Sequence, residues 1–463
     1  MKAVIASLAC ITLASCMLAP RRGADDLEAA LSSIDADAML AHIRILASDE
    51  FEGRRPGTRG EQLTVAYLTD QFKRLGLQPA NPDGTYVQKV PFIASRAHGE
   101  LSFRVRDQQI ALKEPADFRS LPVWQTPDIR IDDSELVFVG YGVVASEYDW
   151  DDYKGIDLTG KTVVVLPNDP QLPDPRDPTK LDEAMFKGRA VTSYARLEHK
   201  RSEARRHGAV AILTLFEPGL FGTPDWKDRI STAGIETFDT REEDQRRGEV
   251  RASAELSPEA AQRLFAACGL DLAALKKAAL RKDFRPVAMN ARASLSVTQV
   301  TREVESQNVV ARVEGSDPKL RHEVVIYTAH WDHFGRTETP QGAQIFSGAR
   351  DNASGVAAML EVAKAFARLA TPPKRSVMFI ATTGEEQGLL GAKYYAAHPL
   401  VPLQRTLAAL NIDIVNVLGP TRDIAVIGID KSTLGDMICG LVAAIITATI
   451  IGTEMTALMT AAQ

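Results

Sequence analysis

The chain has 463 residues, of which 45% are hydrophobic and 25% are charged, and its formal net charge is −6. This is ordinary globular composition, which excludes a largely disordered chain. The length exceeds that of one typical domain, so we expect two domains or one domain with a large insert. Nucleic-acid binders usually carry a basic excess, so 54 basic against 60 acidic residues argues against a nucleic-acid partner.

The first 24 residues are predicted to be an export signal rather than part of the fold. Lys2 is followed by the apolar stretch 3–13, which is too short to span a bilayer. Leu-Ala-Ser-Cys at 13–16 resembles the bacterial lipobox, whose cysteine becomes the lipidated first residue of the mature protein. An ordinary cleaved signal is the alternative. We therefore expect an exported protein, either a periplasmic or outer-membrane lipoprotein attached to the membrane through Cys16 or a secreted protein.

Two helices are predicted in the N-terminal region, at 37–47 and 61–75, and Gly76 stands where a C-terminal cap belongs. The apolar residues of the first helix share one face: Met39, Leu40, Ile43 and Leu46. Between the helices, Gly-Arg-Arg-Pro-Gly-Thr at 53–58 predicts a loop. Its two arginines are expected to be solvated, with a role near a substrate as the alternative.

The middle third, residues 121–299, is predicted to be an inserted domain. Its predicted elements are strands at 135–144, 161–166 and 210–216, a charged helix at 195–207 and a helical stretch at 257–280. The charged helix is expected to be solvated. No catalytic constellation stands out here, so the catalytic domain is predicted to be discontinuous, made of residues 25–120 and 300–463.

From residue 307 onward, apolar strands alternate with helices. The predicted strands are 307–313, 324–328, 376–381, 406–414 and 423–427, and the predicted helices are 353–369 and 388–397. Strands that are apolar almost throughout and separated by helices indicate an α/β fold, with a mostly parallel central sheet covered by helices on both faces. Ligands of such sheets gather at the carboxyl ends of the strands.

Polar side chains follow these strands and loops at four places: His330 with Asp332, Asp351 with Asn352, Glu385 with Glu386, and Asp413. Each alone has an ordinary explanation; Asp351, for example, could simply begin a helix. Asp413 is harder to explain, because a carboxylate within an apolar strand is costly unless it is paired or metal-bound. Together the four places favour a metal site.

The residue types suit two divalent ions. Imidazole and carboxylate ligands bind zinc, and two-metal hydrolases hold their ions about 3.5–4 Å apart. Asp351 is the candidate bridging carboxylate, and His330 would bind one ion while Asp332 orients its ring. Of Glu385 and Glu386, one would bind metal and the other would serve as general base.

These motifs resemble those of the co-catalytic zinc aminopeptidases, and more narrowly the exported bacterial members with a protease-associated domain inserted in the catalytic domain. The motifs are His-x-Asp at 330–332, Asp-Asn-Ala-Ser-Gly at 351–355, Gly-Glu-Glu-Gln-Gly at 384–388 and Asn-x-Asp at 411–413. The resemblance also includes 46–54 and 148–162, and it extends from residue 37 to about 435. It implies a three-layer zinc exopeptidase fold with a β-rich insert.

The resemblance also implies a set of metal ligands. His330 and Asp413 would bind one zinc, Asp351 would bridge both ions, and Glu386 would bind the second ion together with the family's closing histidine. The implied activity is the removal of N-terminal residues from peptide substrates, by a hydroxide that bridges the two ions.

Two further residues receive implied roles. Glu385 would be the general acid/base that carries the proton to the leaving amine, and Asp332 would support His330. The bond between Asp351 and Asn352 is often cis in such relatives.

The family's closing histidine lies downstream of the Asp413 position, whereas all eight histidines of this sequence precede Asp413. His333 and His398 are poor substitutes by sequence, because one lies three residues after His330 and the other lies beyond a helix. The sequence therefore predicts an incomplete second site, with weakened second-ion binding and impaired activity.

From about residue 437 the chain becomes an apolar tail whose one charged residue is Glu454. Three interpretations are open: a short membrane-seeking helix, a buried helix that closes a shortened domain, or an out-of-frame or truncated end. We favour the third, since the composition changes where the family likeness stops.

The leading functional hypothesis is a metal-dependent aminopeptidase. A non-catalytic metal-binding or interaction protein on the same scaffold is the first alternative. A related metallohydrolase of the carboxypeptidase or cyclase type is the second.

Overall fold

The computed structural model describes residues 22–121, 123, 127–189, 191–220, 225–230, 236–240, 250–339 and 342–415. The chain forms two compact units: unit 1 is drawn from Met1–Val90 and Glu305–Gln463, and unit 2 is Pro91–Val304. The predicted signal with Cys16, the predicted strand 423–427 and the apolar tail from 437 lie outside the described residues. Among the described helices, none combines the length and the apolar character needed to cross a membrane.

Unit 1 begins with helices that bear out the N-terminal prediction. Its elements here are α1 (Arg22–Leu31), α2 (Ala36–Leu46), α3 (Arg59–Arg74), β1 (Gln78–Pro79) and the start of β2 (Val87–Val105). Helix α2 is capped by Asp35, whose carboxylate accepts a hydrogen bond from the N–H of Ala38 at 2.7 Å. The predicted apolar face of α2 is buried: Met39, Leu40, Ile43 and Leu46.

Unit 2 is rich in strands. After β2 its elements are β3 (Gln108–Ala111), β4 (Phe118–Leu121), β5 (Asp128–Phe138), β6 (Val144–Ala145), β7 (Trp150–Asp151), β8 (Thr162–Val165), α4 (Leu197–Arg206), β9 (Ala211–Leu215), α5 (Trp226–Arg229), β10 (Thr237–Thr240), β11 (Ala252–Leu256), α6 (Pro258–Ala267), α7 (Leu272–Ala278) and most of β12 (Val287–Val313). Strands β5, β8, β9 and β11 are successive parallel neighbours, with β4 antiparallel beside β11.

The start of unit 2 differs from the predicted insert boundary at 121. The unit begins at Pro91 because β2 pairs inside it: residues 92–95 pair with β10 and residues 102–105 pair with β3. The sequence pattern did not reveal this long strand. The assignment of unit 2 as a protease-associated domain stays a prediction.

Two helical predictions in unit 2 need correction. The helical stretch 257–280 is two helices, since Gly269 adopts a φ of +71° after α6 and the Asp271 carboxylate then caps α7. The charged helix α4 is not simply solvated. Its Lys200 and Glu203 are buried, and the Lys200 ammonium donates a hydrogen bond to the carbonyl of Tyr141.

The C-terminal part of unit 1 alternates strands and helices as predicted. Its elements are β13 (Val324–His330), β14 (Gly335–Thr339), β15 (Gly342–Phe346), α8 (Ser354–Ala367), β16 (Ser376–Thr382), α9 (Leu390–Ala397) and β17 (Thr406–Asn411). The sheet order is β17-β13-β16-β12. Strand β13 runs parallel to both neighbours, so the carboxyl ends of β13, β16 and β17 lie on the same edge.

Helices cover both faces of this sheet, which confirms the α/β class. Alternate residues of β16 face opposite sides. On one side Phe379 packs with residues of α2, α3 and α8, and on the other Met378 and Ile380 pack with Tyr395 of α9. All seven residues of β16 are buried, as expected for a strand covered twice.

The sheet of unit 1 is less parallel than predicted. Strand β12 runs antiparallel to β16, and β1 runs antiparallel to β12. Parallel strands need a crossover connection, and the described segment 314–323 between β12 and β13 contains no helix. The predicted parallel arrangement therefore holds for β13, β16 and β17, the three strands whose carboxyl ends lead to the polar residues.

Substitution of Phe379 tests this description of the core. Its ring is fully buried and lies 5.7 Å from the ring of Tyr327 and 6.1 Å from that of Phe366. We expect Phe379→Ala to lower the free energy of unfolding by about 3–5 kcal/mol, because it leaves a cavity in the core. Guanidinium denaturation measures this.

The matched control is Leu407→Ala, since the Leu407 side chain is 53% exposed. It should change the free energy of unfolding by no more than about 0.5 kcal/mol. Equal losses in the two variants would contradict the described core.

Candidate metal centre

His330 is the last residue of β13 and the centre of the polar cluster. It pairs in register with Thr382, the last residue of β16, and its side chain is 1% exposed. The segments after β16 and β17 carry Glu385 and Asp413 to the same edge. The strand ends thus bring together residues far apart in sequence, as parallel strands do.

The Nε2 atom of His330 faces three carboxylates. It lies 3.0 Å from Oδ1 of Asp351, 3.5 Å from Oδ1 of Asp413 and 3.9 Å from Oε2 of Glu385. One nitrogen among several carboxylate oxygens is the donor set that zinc accepts.

The Nδ1 atom of His330 is oriented by Asp332, mainly through its backbone. Nδ1 lies 3.1 Å from the Asp332 carbonyl oxygen and 3.8 Å from its carboxylate Oδ1. With Nδ1 directed at that carbonyl, Nε2 faces the cluster. The buried Asp332 carboxylate instead accepts a hydrogen bond from the N–H of Glu385 at 3.1 Å, so it positions that residue.

A second histidine joins the cluster. Nδ1 of His333 is hydrogen-bonded to Oε1 of Glu386, and the two side chains are 13% and 11% exposed. Sequence spacing did not predict this contact between His333 and Glu386. The chain turns after β13, so a residue three positions from His330 reaches a different carboxylate.

The ligand atoms form overlapping groups. His330, Asp351 and Asp413 make one group, and His333, Asp351 and Glu386 make another, with the atoms of each group within 4.8 Å of one another. Asp351 belongs to both. A third group joins His330 to Glu385 and Glu386. Two three-ligand groups that share one carboxylate suit two zinc ions about 3.5–4 Å apart.

Buried atoms in the cluster lack hydrogen-bond partners. Among the described residues, none forms a well-aligned hydrogen bond with Nε2 of His330 or Oδ1 of Asp351, which face each other as an ion pair at 3.0 Å. A buried polar atom without a partner costs about 1–3 kcal/mol, and coordination to a cation would remove that cost. The residues therefore fit a zinc centre.

Burial and crowded carboxylates shift the pKa values of several side chains in the cluster. Burial, together with nearby carboxylates, raises the pKa of Glu385 to about 7 and that of Glu386 to about 8. Burial opposes charge on His330, but Asp351 and Asp413 outweigh it and raise its pKa to about 11. Burial and the positive Arg54 lower the pKa of His333 to about 4, so its imidazole is neutral.

Asn352 ties the loop that carries Asp351 to the segment that carries Asp413. Its side-chain amide donates to the carbonyl of Ile412 at 3.0 Å, and its Oδ1 accepts from the N–H groups of Gly355 and Ile414 at 2.9 and 3.2 Å. The Asp351–Asn352 peptide bond is cis, as the family resemblance implies.

Asp413 occupies a different setting from the one predicted. Strand β17 ends at Asn411, and Asp413 follows it with a side chain that is 42% exposed. Pairing with β13 stops at Thr328 and Asn411, after which the Ile412 N–H donates to the Thr328 carbonyl at 2.8 Å. The argument from a buried strand carboxylate was therefore wrong, although Asp413 does face His330.

Arg54 was missed as a part of this centre. Its side chain is fully buried, contrary to the expected solvated loop, and burial lowers its pKa to about 10. The guanidinium donates to four backbone carbonyls at 2.6–2.8 Å: those of Leu46, Trp331, Ser347 and Gly348. It thereby holds the segment after β13 and the loop before Asp351. A Gly-Arg pair in a loop does not predict whether the arginine side chain is directed into the core or into solvent.

Comparison with known proteins gives a family match and several partial relatives. Residues 308–451 match peptidase family M28. A Leptosphaeria maculans protein named "Probable zinc metalloprotease" is 37% identical over 112 residues, or 24% of this chain and 25% of that protein. Aminopeptidase YwaD of Bacillus subtilis is 29% identical over 149 residues, or 32% of this chain and 29% of that protein.

The chain spans only 25% of the length of the first of these relatives and 29% of the length of the second. Among solved structures, the aminopeptidase from Aneurinibacillus sp. strain AM-1 is 21% identical, with 84% of this chain and 72% of that chain covered and a TM-score of 0.44. The match of residues 308–451 agrees with the resemblance of the motifs at 330–413 to those of zinc peptidases.

Replacing Arg54 should destabilise unit 1. Arg54→Met leaves four carbonyls without their donor, so we expect the free energy of unfolding to fall by at least about 3 kcal/mol. Chemical denaturation measures the loss. Arg59→Met is the control, because Arg59 is exposed on α3, and it should change stability by less than about 0.5 kcal/mol. An Arg54 variant as stable as the control would refute this role.

Proposed function

Because residues 308–451 belong to peptidase family M28, we propose that the chain is a zinc-dependent exopeptidase that removes residues from the amino terminus of peptides. The observation that carries the proposal is the pair of three-ligand groups that share Asp351. The zinc metalloprotease and aminopeptidase names of its relatives support the same class of reaction.

The proposed ligand roles follow the two groups. His330 and Asp413 would hold one zinc ion, Glu386 would hold the other, and Asp351 would lie between them. Zinc, when bound, acts as a Lewis acid that polarises a carbonyl and lowers the pKa of water. The chain supplies the geometry, since β13 and the segments after β16 and β17 fix three of these side chains.

Glu385 is the proposed general base. Its carboxylate is partly open to solvent, at 28% exposed, and Oε2 lies 3.9 Å from Nε2 of His330. Its backbone is held by the Asp332 carboxylate, which keeps the side chain at the edge of the cluster. From there Oε2 would accept a proton from the attacking water and deliver it to the leaving amine.

Export is proposed on the sequence alone. The lipobox-like residues 13–16 support lipidation at Cys16 and hence attachment to a bacterial membrane. In a bacterial host, labelled palmitate should be incorporated into the full chain and should be lost in Cys16→Ser. Equal labelling of the two chains, or labelling of neither, would rule out this anchor.

The catalytic proposal is tested with Glu385→Gln in the full chain. We expect kcat for an aminoacyl arylamide to fall about 10²–10⁴-fold, because the amide cannot accept the proton. Zinc content, measured by mass spectrometry of the metal, should stay unchanged. Glu259→Gln, at an exposed position on α6, is the control and should keep full activity.

The alternatives give different results in the same assay. Zinc binding without turnover in the unmodified chain would favour a non-catalytic binding protein. Turnover confined to substrates with a blocked amino terminus would favour a related carboxypeptidase or cyclase. Full activity in Glu385→Gln would refute the assigned base.

A further inference from the structure

We propose that His333 is a zinc ligand that completes the second group beside Asp351 and Glu386. This inference rests on the proposed two-ion function and deepens it. The family resemblance assigns this ion a histidine from the far side of Asp413. In this chain the imidazole that lies against Glu386 comes instead from the segment directly after β13.

The position of His333 is fixed by its surroundings. Its side chain is 13% exposed, and its ring centroid lies 4.9 Å from that of Phe334. Its backbone N–H donates to the carbonyl of Arg54 at 3.4 Å. A histidine that was merely solvated would not be enclosed in this way, so the fold directs this imidazole into the cluster.

Gly348 leaves the space in which the ring sits. Its φ is +59°, and a Cβ atom placed there would lie 2.7 Å from Cγ of His333 and 2.5 Å from Nη2 of Arg54. A side chain at this position would have to displace the imidazole or the guanidinium. The cradle for His333 is therefore part of the same loop that presents Asp351.

The second group needs a nitrogen donor to favour zinc. Without His333, it retains the carboxylates of Asp351 and Glu386. Oxygen ligands alone suit magnesium, calcium or manganese, whereas an imidazole shifts preference toward zinc. His333 would thus determine which metal occupies the second position as well as how tightly it is held.

A purely structural role is the competing explanation. His333 could do no more than hydrogen-bond Glu386 and hold it in place. Glutamine can make such a hydrogen bond but is a poor zinc ligand, whereas cysteine is a good zinc ligand. Substitution by each residue therefore separates coordination from positioning.

The experiment uses the full chain, stripped of metal and titrated with zinc, with bound metal counted per chain and cobalt absorption as a second readout. We expect two tight zinc ions in the unmodified protein. His333→Gln should keep one, with affinity for the other reduced at least about 100-fold, and His333→Cys should restore it with a new thiolate–cobalt band. His322→Gln, at an exposed position in unit 1, is the control.

The outcomes separate this inference from the proposed function. Two unweakened zinc ions in His333→Gln would overturn the role of His333 and leave the two-ion function standing. Fewer than two ions in the unmodified chain would overturn both. If the glutamine variant fails to fold by circular dichroism, the cysteine variant decides: two tight ions uphold the role, and one overturns it.

Discussion

Crowded negative charge is the constraint on which the rest of unit 1 depends. Asp351 and Asp413 lie within 3.5 Å of His330, Asp332 is buried beside them, and the Glu386 side chain is 11% exposed. Carboxylates so close together repel one another, and a bound cation would relieve that repulsion. The raised pKa values of the glutamates express that conflict. Two divalent ions would neutralise this crowded negative charge. The membership of Asp351 in both ligand groups is therefore the central feature of the site.

The fold holds these side chains on one paired strand and on two irregular segments that hydrogen bonds fix in place. His330 is the end of a strand that is hydrogen-bonded on both sides, whereas Asp351 and Asp413 lie on irregular segments. Asn352 joins these two segments to each other by hydrogen bonds. Arg54 donates to the carbonyls of Trp331, Ser347 and Gly348, which lie on either side of the β14–β15 hairpin. Sites work when such supports fix the side chains before a ligand arrives. The support comes from backbone carbonyls and amides, so it does not compete with the metal for carboxylates.

The sequence predicted the strands and most of the cluster, but not its supports. Apolar runs at 324–328 and 376–381 identified β13 and β16, and polar residues at their ends placed His330 beside Glu385. The burial of Arg54 and the contact of His333 with Glu386 were not predicted, because both depend on the direction in which a loop turns, which neither spacing nor composition records. Burial of Lys200 depends instead on which face of α4 packs inward, and a helix this rich in charge does not show that face in its sequence. The separation of Asp413 from the end of β17 depends on where pairing with β13 stops, and apolar composition does not locate that residue.

The central claim is that Asp351 lies between two metal positions. Anomalous diffraction at the zinc absorption edge, from crystals of the full chain grown with zinc, tests it most directly. The account predicts two peaks about 3.5–4 Å apart on either side of the Asp351 carboxylate, one beside His330 and one beside Glu386. A single peak, or a pair that the Asp351 carboxylate does not bridge, would contradict it.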